Sequence, residues 1–309
     1  MTESPDRTAS LCPHCLRRIP ARRITENGAV YLAKSCPEHG KLERVLLWKD
    51  FPKPYHEWTR CVPPAPAAST ECPRNCGLCP DHKQKTCTAI IEVTGRCNLS
   101  CPVCFAAAGM EPGPDPDRGQ ITRMLEMVRD SAGLCPIQIS GGEPTMRNDL
   151  PESVALAQSM GFDLIQINTN GIRLAQDEAY GRALVDAGAT VMYLQFDGVT
   201  GSVYRQIRGS DLLSLKLKAI ENCAQWKVGV ILVPTVVKRV NDNQIGTIIQ
   251  FAKKWMPTVK GVHFQPMTYL GRYPVAPRNE DRILLSDILA AIEDQTEGEL
   301  RMEHMVPPG

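Results

Sequence analysis

From residue 88 to about residue 267 the sequence alternates short apolar runs with amphipathic stretches, and that alternation leaves few folds open. The runs at 89–94, 137–140, 164–168, 191–196, 228–233 and 262–265 have the length and apolar character of strands. Between them apolar residues recur at helical spacing. The stripes are Ile121, Leu125 and Val128; Leu150, Val154 and Leu156; Tyr180, Leu184 and Val185; Leu215, Ile220 and Cys223; and Ile245, Ile248, Ile249 and Ala252. Strand-then-helix units in series put the strands parallel and side by side. Six of them predict an α/β fold, a partial (β/α)6 TIM-like barrel, with function at the C-terminal strand ends.

A formal net charge of +1 makes no electrostatic case for nucleic acid or an anionic membrane surface. The longest apolar stretch, near 228–233, is far too short to span a bilayer, and residues 1–7 do not read as a signal peptide. The expected location is the cytoplasm. Of the 13 cysteines most sit in tight groups within the first 104 residues, which suits metal coordination and not disulfides. Cys61, Cys135 and Cys223 stand apart, and the last two read as small core residues.

Residues 1–60 read as a small rubredoxin-like or zinc-ribbon module. Cys12-Pro13-His14-Cys15 and Cys36-Pro37-Glu38-His39 form two knuckles, joined by a possible hairpin at 29–32. Cys12, Cys15, Cys36 and His39 make a closed tetrahedral set acceptable to zinc or mononuclear iron, with Cys61 as the alternative to His39. A closed set is a folding staple. Residues 61–88 carry a Pro/Ala linker and then Cys72, Cys76, Cys79 and Cys87. Four thiolates saturate a cubane, so this group reads as an auxiliary [4Fe-4S] cluster, with a second zinc site as the alternative. His82 reads as a surface residue.

Residues 89–275 form the barrel, and its first strand leads straight into Cys97-Asn98-Leu99-Ser100-Cys101-Pro102-Val103-Cys104. Cys97, Cys101 and Cys104 on so short a loop can hold three irons of a cubane and leave the fourth open to a small molecule. The second strand ends in Ser140-Gly141-Gly142-Glu143-Pro144-Thr145, where two glycines permit close backbone approach and Glu143 offers an acceptor for an ammonium. The third ends in Asn168-Thr169-Asn170-Gly171 and the fourth in Gln195-Phe196-Asp197-Gly198, polar mouths suited to ribose hydroxyls. Alone, each N-G or D-G is an ordinary turn signal. Their coincidence with the cysteine hook points to a site. Residues 276–309 read as a helix with Ser286 as N-cap, running to about 293, and a truncated tail.

Cys97, Cys101 and Cys104 followed by Gly141-Gly142-Glu143-Pro144 resemble the radical S-adenosylmethionine (SAM) superfamily from residue 88 to about 267. The resemblance implies that the three cysteines bind a [4Fe-4S] cluster whose open iron chelates the amino and carboxylate groups of SAM. It implies that Gly141, Gly142, Glu143 and Pro144 hold the amino group. It also implies that Asn170, Gln195 and Asp197 meet ribose and methionine and that Gln265 meets the adenine side. Val103 stands where many members have an aromatic residue, with Phe105 directly after. The front-end knuckles, His263-Phe264-Gln265-Pro266 and Gly271-Arg272-Tyr273 are similar to one group within the superfamily. It holds tetraether lipid synthase and dihydropterin dimethylase, and the likeness is closest to a bacterial TrsS-type branch of (seleno)proteins. Members of the group run on into a further cysteine-bearing segment, so the chain reads as a shortened member.

The activity implied is reductive cleavage of SAM to a 5′-deoxyadenosyl radical for C–H activation. Carbon–carbon bond formation or methylation on a lipid-like or other apolar substrate would follow. A pterin- or peptide-modifying methylase is the alternative within the class, and a non-catalytic iron–sulfur electron carrier the alternative outside it. The carrier reading predicts four-ligand clusters throughout, and a hook with no fourth cysteine nearby opposes it. Ferredoxin or flavodoxin is the implied electron donor.

Overall fold

Residues 7–49, 86–110, 112–275 and 277–307 are described by the structure, a computed structural model. They belong to two units, one of Met1–Arg60 with Pro277–Gly309 and one of Cys61–Ala276. In the first, β1 (Arg7–Leu11), β2 (Arg18–Glu26) and β3 (Ala29–Cys36) pair antiparallel. Asn27 and Gly28 turn β2 into β3 with φ of 51° and 74°, the two left-handed residues that a type I′ hairpin requires. β4 (Gly40–Lys41) and β5 (Val45–Lys49) both pair with β3. The two knuckles are therefore the β1–β2 and β3–β4 turns. Cys12, Ile19, Cys36 and Leu42 bury together there, a core too small to hold a fold without a staple.

The second unit opens with β6 (Ala89–Glu92), α1 (Arg118–Ala132), β7 (Ile137–Ser140) and α2 (Leu150–Ser159). It continues through β8 (Ile165–Thr169), α3 (Ile172–Gln176), α4 (Glu178–Asp186) and β9 (Val191–Gln195). Then come α5 (Gly201–Arg208), α6 (Leu213–Trp226), β10 (Gly229–Val233) and β11 (Thr235–Val236). α7 (Ile245–Lys254), β12 (Val259–Val262) and β13 (Gln265–Pro266) complete it. The sheet runs β6-β7-β8-β9-β10-β12 with every neighbour parallel, so it is a six-stranded partial barrel. Ile137, Ile139, Ile165, Ile167, Met192, Leu194, Val230 and Leu232 alternate along its strands in the main core, which explains why period and composition pointed to parallel strands.

One strand lies elsewhere than expected. The sixth is Val259–Val262 and not 262–265, because Lys260 and Gly261 dilute its apolar signal. Gln265 belongs instead to β13, which pairs with β11 as a separate two-stranded ladder. Pro234 stands between β10 and β11 and has no N–H, so the ladder breaks there; its carbonyl still accepts from Gln265 N–H at 2.9 Å.

The last helix, α8 (Leu285–Gln295), belongs to the first unit, where Leu289 shares a small core with Val30 and Trp48. Ser286 is not its N-cap. The Asp287 carboxylate accepts from Leu284 N–H at 2.9 Å, and the Ser286 hydroxyl instead accepts from Lys49 N–H of β5 at 3.3 Å. Among the described residues no helix is long and apolar enough to cross a membrane.

Candidate functional site

In the first unit Cys12, Cys15, Cys36 and His39 converge, their ligand atoms all within 4.8 Å of one another. His39 Nδ1 lies 3.7 Å from Cys12 Sγ and 3.5 Å from Cys36 Sγ, and the Cys15 and Cys36 sulfurs are 3.8 Å apart. A tetrahedral zinc with bonds of about 2.3 Å to sulfur and 2.0–2.1 Å to nitrogen has edges of about 3.5–3.8 Å. The donor set fits that ion and leaves no open position. Cys61, the alternative fourth ligand, lies outside the described residues, as do Cys72, Cys76 and Cys79 of the auxiliary group. Cys87 is exposed, and Cys135, expected in the core, is half-buried. Cys223 is buried on α6, and burial pushes its thiol up to about 12.

In the second unit a cavity of about 470 Å³ opens at the C-terminal ends of the strands, lined by Cys97, Cys101 and Cys104 of the hook. The hook is held by backbone. Gly142 N–H donates to Thr94 O and Glu143 N–H to Arg96 O, both at 2.8 Å. A Cβ on Gly141 would sit 2.2 Å from Thr94 O, and one on Gly142 2.2 Å from Arg96 O. Only glycine allows this turn to lie against the chain entering the hook, and Gly141 also has φ of 142°. Among the described residues no donor reaches the carbonyls of Gly141 and Gly142, which remain the open acceptors of the turn. From the other side Arg272 clamps the hook. Its backbone exchanges hydrogen bonds with Cys104 at 2.8 and 2.9 Å, and its Nε donates to Cys101 O at 2.6 Å. Burial raises the Cys97 thiol, and Glu143, Cys101 and Cys104 add to the rise. A bound cation relieves that repulsion among anions.

The two carboxylates are placed differently. Glu143 is 1% exposed and lines the cavity. Its Oε1 accepts from Thr145 N–H at 3.1 Å, Thr145 Oγ1 at 2.6 Å and Thr169 Oγ1 at 2.7 Å, and its Oε2 from Asn170 N–H at 2.7 Å. Oε1 is thus filled in bracing the β7 and β8 ends, while Oε2, with a single bond, keeps an acceptor site. Asp197, read as a ribose contact, is fully buried and does not line the cavity. Its carboxylate takes two 2.7 Å bonds from Arg208 and one of 3.1 Å from Thr235 N–H. Burial pulls the Arg208 guanidinium down, but the charge of Asp197 outweighs it and holds the group above its ordinary range.

Asn170, Gln195 and Gln265 do line the cavity, though with different freedom. The Asn170 amide donates to Asn98 Oδ1 at 2.7 Å and accepts from Ile172 N–H at 3.0 Å, so it ties β8 to the hook. Gln265 is exposed at the rim. Pro144 is buried at the start of the turn that follows the glycines. Sequence reading missed two cations. Arg208 lines the cavity and donates to Val103 O at 3.2 Å, and Lys216 is fully buried on α6. Both sit on the buried stripes of their helices, Val203-Tyr204-Ile207-Arg208 and Lys216-Ala219-Ile220-Cys223. A basic residue in phase with a core stripe was the available signal.

Three thiols beside two close-packed glycines at the mouth of a parallel barrel match a known family. The family described as the Radical SAM superfamily matches residues 91–252. The chain belongs to the radical SAM superfamily. It is an enzyme of that class, and its cofactors are a [4Fe-4S] cluster and SAM. The cavity fits them: among the described residues three cysteines and no fourth line it, with open carbonyl acceptors at the glycine turn. Residues 4–49 match the HMPTM N-terminal zinc ribbon domain, in agreement with the closed Cys3His set. A radical SAM relative, 7,8-dihydro-6-hydroxymethylpterin dimethyltransferase of Methanocaldococcus jannaschii, is 43% identical over 97% of this chain and 61% of its own length. This chain thus spans about 61% of that relative. GTP 3′,8-cyclase of Nautilia profundicola is 27% identical over 64% of this chain and 62% of its own. The crystal structure of Streptococcus suis SuiB bound to precursor peptide SuiA superposes with a TM-score of 0.57 at 15% identity, covering 72% of this chain and 48% of that one. At that identity the likeness is one of fold.

Proposed function

We propose that this radical SAM enzyme alkylates a small, flat heterocycle of the reduced-pterin class. The observation that carries the proposal is the 43% identity to the M. jannaschii pterin dimethyltransferase over 97% of this chain. The expectation of a lipid-like substrate has no support from that relative and gives way to the pterin alternative.

When bound, the cluster and SAM supply reductive cleavage of a C–S bond and a 5′-deoxyadenosyl radical that abstracts hydrogen. The chain's own work is placement. Cys97, Cys101 and Cys104 hold the cluster. The Gly141 and Gly142 carbonyls and the Glu143 carboxylate accept from the ammonium of SAM, and Pro144 keeps that turn in shape. Asn170 holds the hook, Gln195 meets oxygen atoms of the cofactor, and Gln265 meets the adenine side. Val103, Phe105, Val233 and Phe264 wall the cavity and keep water from a reactive species. Cys72, Cys76, Cys79 and Cys87 are assigned to an auxiliary cluster, and ferredoxin or flavodoxin to electron delivery.

The test is anaerobic. Cluster-loaded protein with reductant and SAM is offered 7,8-dihydro-6-hydroxymethylpterin or an archaeal glycerolipid, and products are read by mass spectrometry. The proposal expects pterin to stimulate SAM cleavage to 5′-deoxyadenosine and methionine and to gain methyl groups, each from the S–CH3 bond of a further SAM that leaves as S-adenosylhomocysteine. Lipid coupling with unchanged pterin would overturn it.

A further inference from the structure

Lys216 occupies a place where a lysine is costly. It is 0% exposed, on the core-facing stripe of α6, with no ion pair of its own among the described residues, and the carboxylate that acts on it most, Asp197, is already engaged by Arg208. Burial lowers its ammonium to about 8 despite the charge of Asp197. An apolar side chain would pack such a position at less cost. What the lysine does there is written in its partners. Its Nζ donates to the carbonyl of Asn170 and, at 3.4 Å, to Oε1 of Gln195, and the Tyr204 ring centre lies 5.9 Å away.

An ammonium has three donors and no acceptor, so it dictates the orientation of any amide that faces it. Gln195 must turn its oxygen toward Lys216, which leaves its NH2 as the free end. Gln195 is the last residue of β9 and lines the cavity with the three hook cysteines. The Asn170 peptide is fixed in the same way. Its N–H is held by Glu143 and its carbonyl by Lys216, directly beside the amide that ties β8 to the hook.

We infer that Lys216 is a positioning residue for SAM: it locks Gln195 as a hydrogen-bond donor toward the oxygen acceptors of the cofactor. Lys216 does not line the cavity and acts through Gln195. Sequence reading assigned Gln195 to the cofactor and left its polarity open; the buried cation decides it. The inference rests on the cavity being the SAM site.

The experiment is equilibrium dialysis of SAM against cluster-loaded protein, with thermal melting read in parallel. Gln195→Glu keeps the acceptor that faces Lys216 and removes the N–H, Gln195→Leu removes both, and Lys216→Met removes the lock. Each is expected to weaken SAM binding about tenfold or more, the scale of one lost hydrogen bond to a charged group. The double variant Lys216→Met/Gln195→Leu is expected to bind no more weakly than Gln195→Leu alone, since the effect of Lys216 on the cofactor runs through Gln195 and not through the Asn170 carbonyl it also holds. A purely structural lysine would lower the melting temperature and multiply its loss onto that of Gln195→Leu, and that overturns the inference. So does Gln195→Glu binding as tightly as wild type, a comparison that stands even if Lys216→Met does not fold. Wild-type protein that fails to bind SAM overturns the site assignment and this inference together.

Discussion

Asp197 shows how a buried carboxylate at a strand end can serve geometry instead of ligand. Asp197 and Arg208 are 0% and 7% exposed and bound through both oxygens, so removing one charge strands the other away from water. Asp197→Asn is expected to cost about 3–5 kcal/mol in denaturant unfolding. A cost below about 1 kcal/mol would mean that the pair is solvated. Gly142→Ala drives a Cβ to 2.2 Å from Arg96 O, a backbone atom that cannot swing aside. It should cost about 1–3 kcal/mol and reduce iron bound per chain, because what must yield is the entry to the hook. Full iron content in that variant would contradict the close-approach account. At this scale the sequence disclosed residue types and not their partners. Glu143 is chemically fit for an ammonium, but that Thr169, 26 positions on, would fix its Oε1 was not readable from its neighbours. The partner of Asp197 lies 11 positions on, in a short helix for which the sequence reading marked no stripe.

Elements were legible where pattern and chemistry agreed. The ribbon knuckles follow from cysteine spacing, though the hairpin expected at 29–32 turns at Asn27-Gly28 and 29–32 lies in β3; the hook and glycine turn follow from motif spacing at strand ends. Legibility failed where long-range packing overrode local signal. β12 hides behind Lys260 and Gly261, and Ser286 gives up a cap to serve β5. The ribbon also makes a prediction. With so small a core, its folding free energy depends on the ion that joins Cys12, Cys15, Cys36 and His39. A strong zinc chelator should abolish amide protection in β1, β2 and β3. Protection that survives complete metal removal would show that hydrophobic packing suffices.

Taken whole, the chain is a metal-stapled ribbon that shares its unit with the C-terminal helix, and an open six-stranded barrel with a cysteine-lined mouth. The order of parallel strands was readable from the sequence because each short apolar-bearing run is followed by a helical stripe. The substrate was not, because the cavity wall is assembled from residues as far apart as Val103, Val233 and Phe264. The central claim is that Cys97, Cys101 and Cys104 form a three-thiolate cluster site that turns over SAM. The direct measurement is 5′-deoxyadenosine formed anaerobically by iron- and sulfide-loaded protein with reductant, in wild type and in Cys97→Ala, Cys101→Ala and Cys104→Ala. The account predicts product from wild type and none above background from each variant. Product that persists in any of the three, or intact SAM with a fully loaded wild-type cluster, would contradict it.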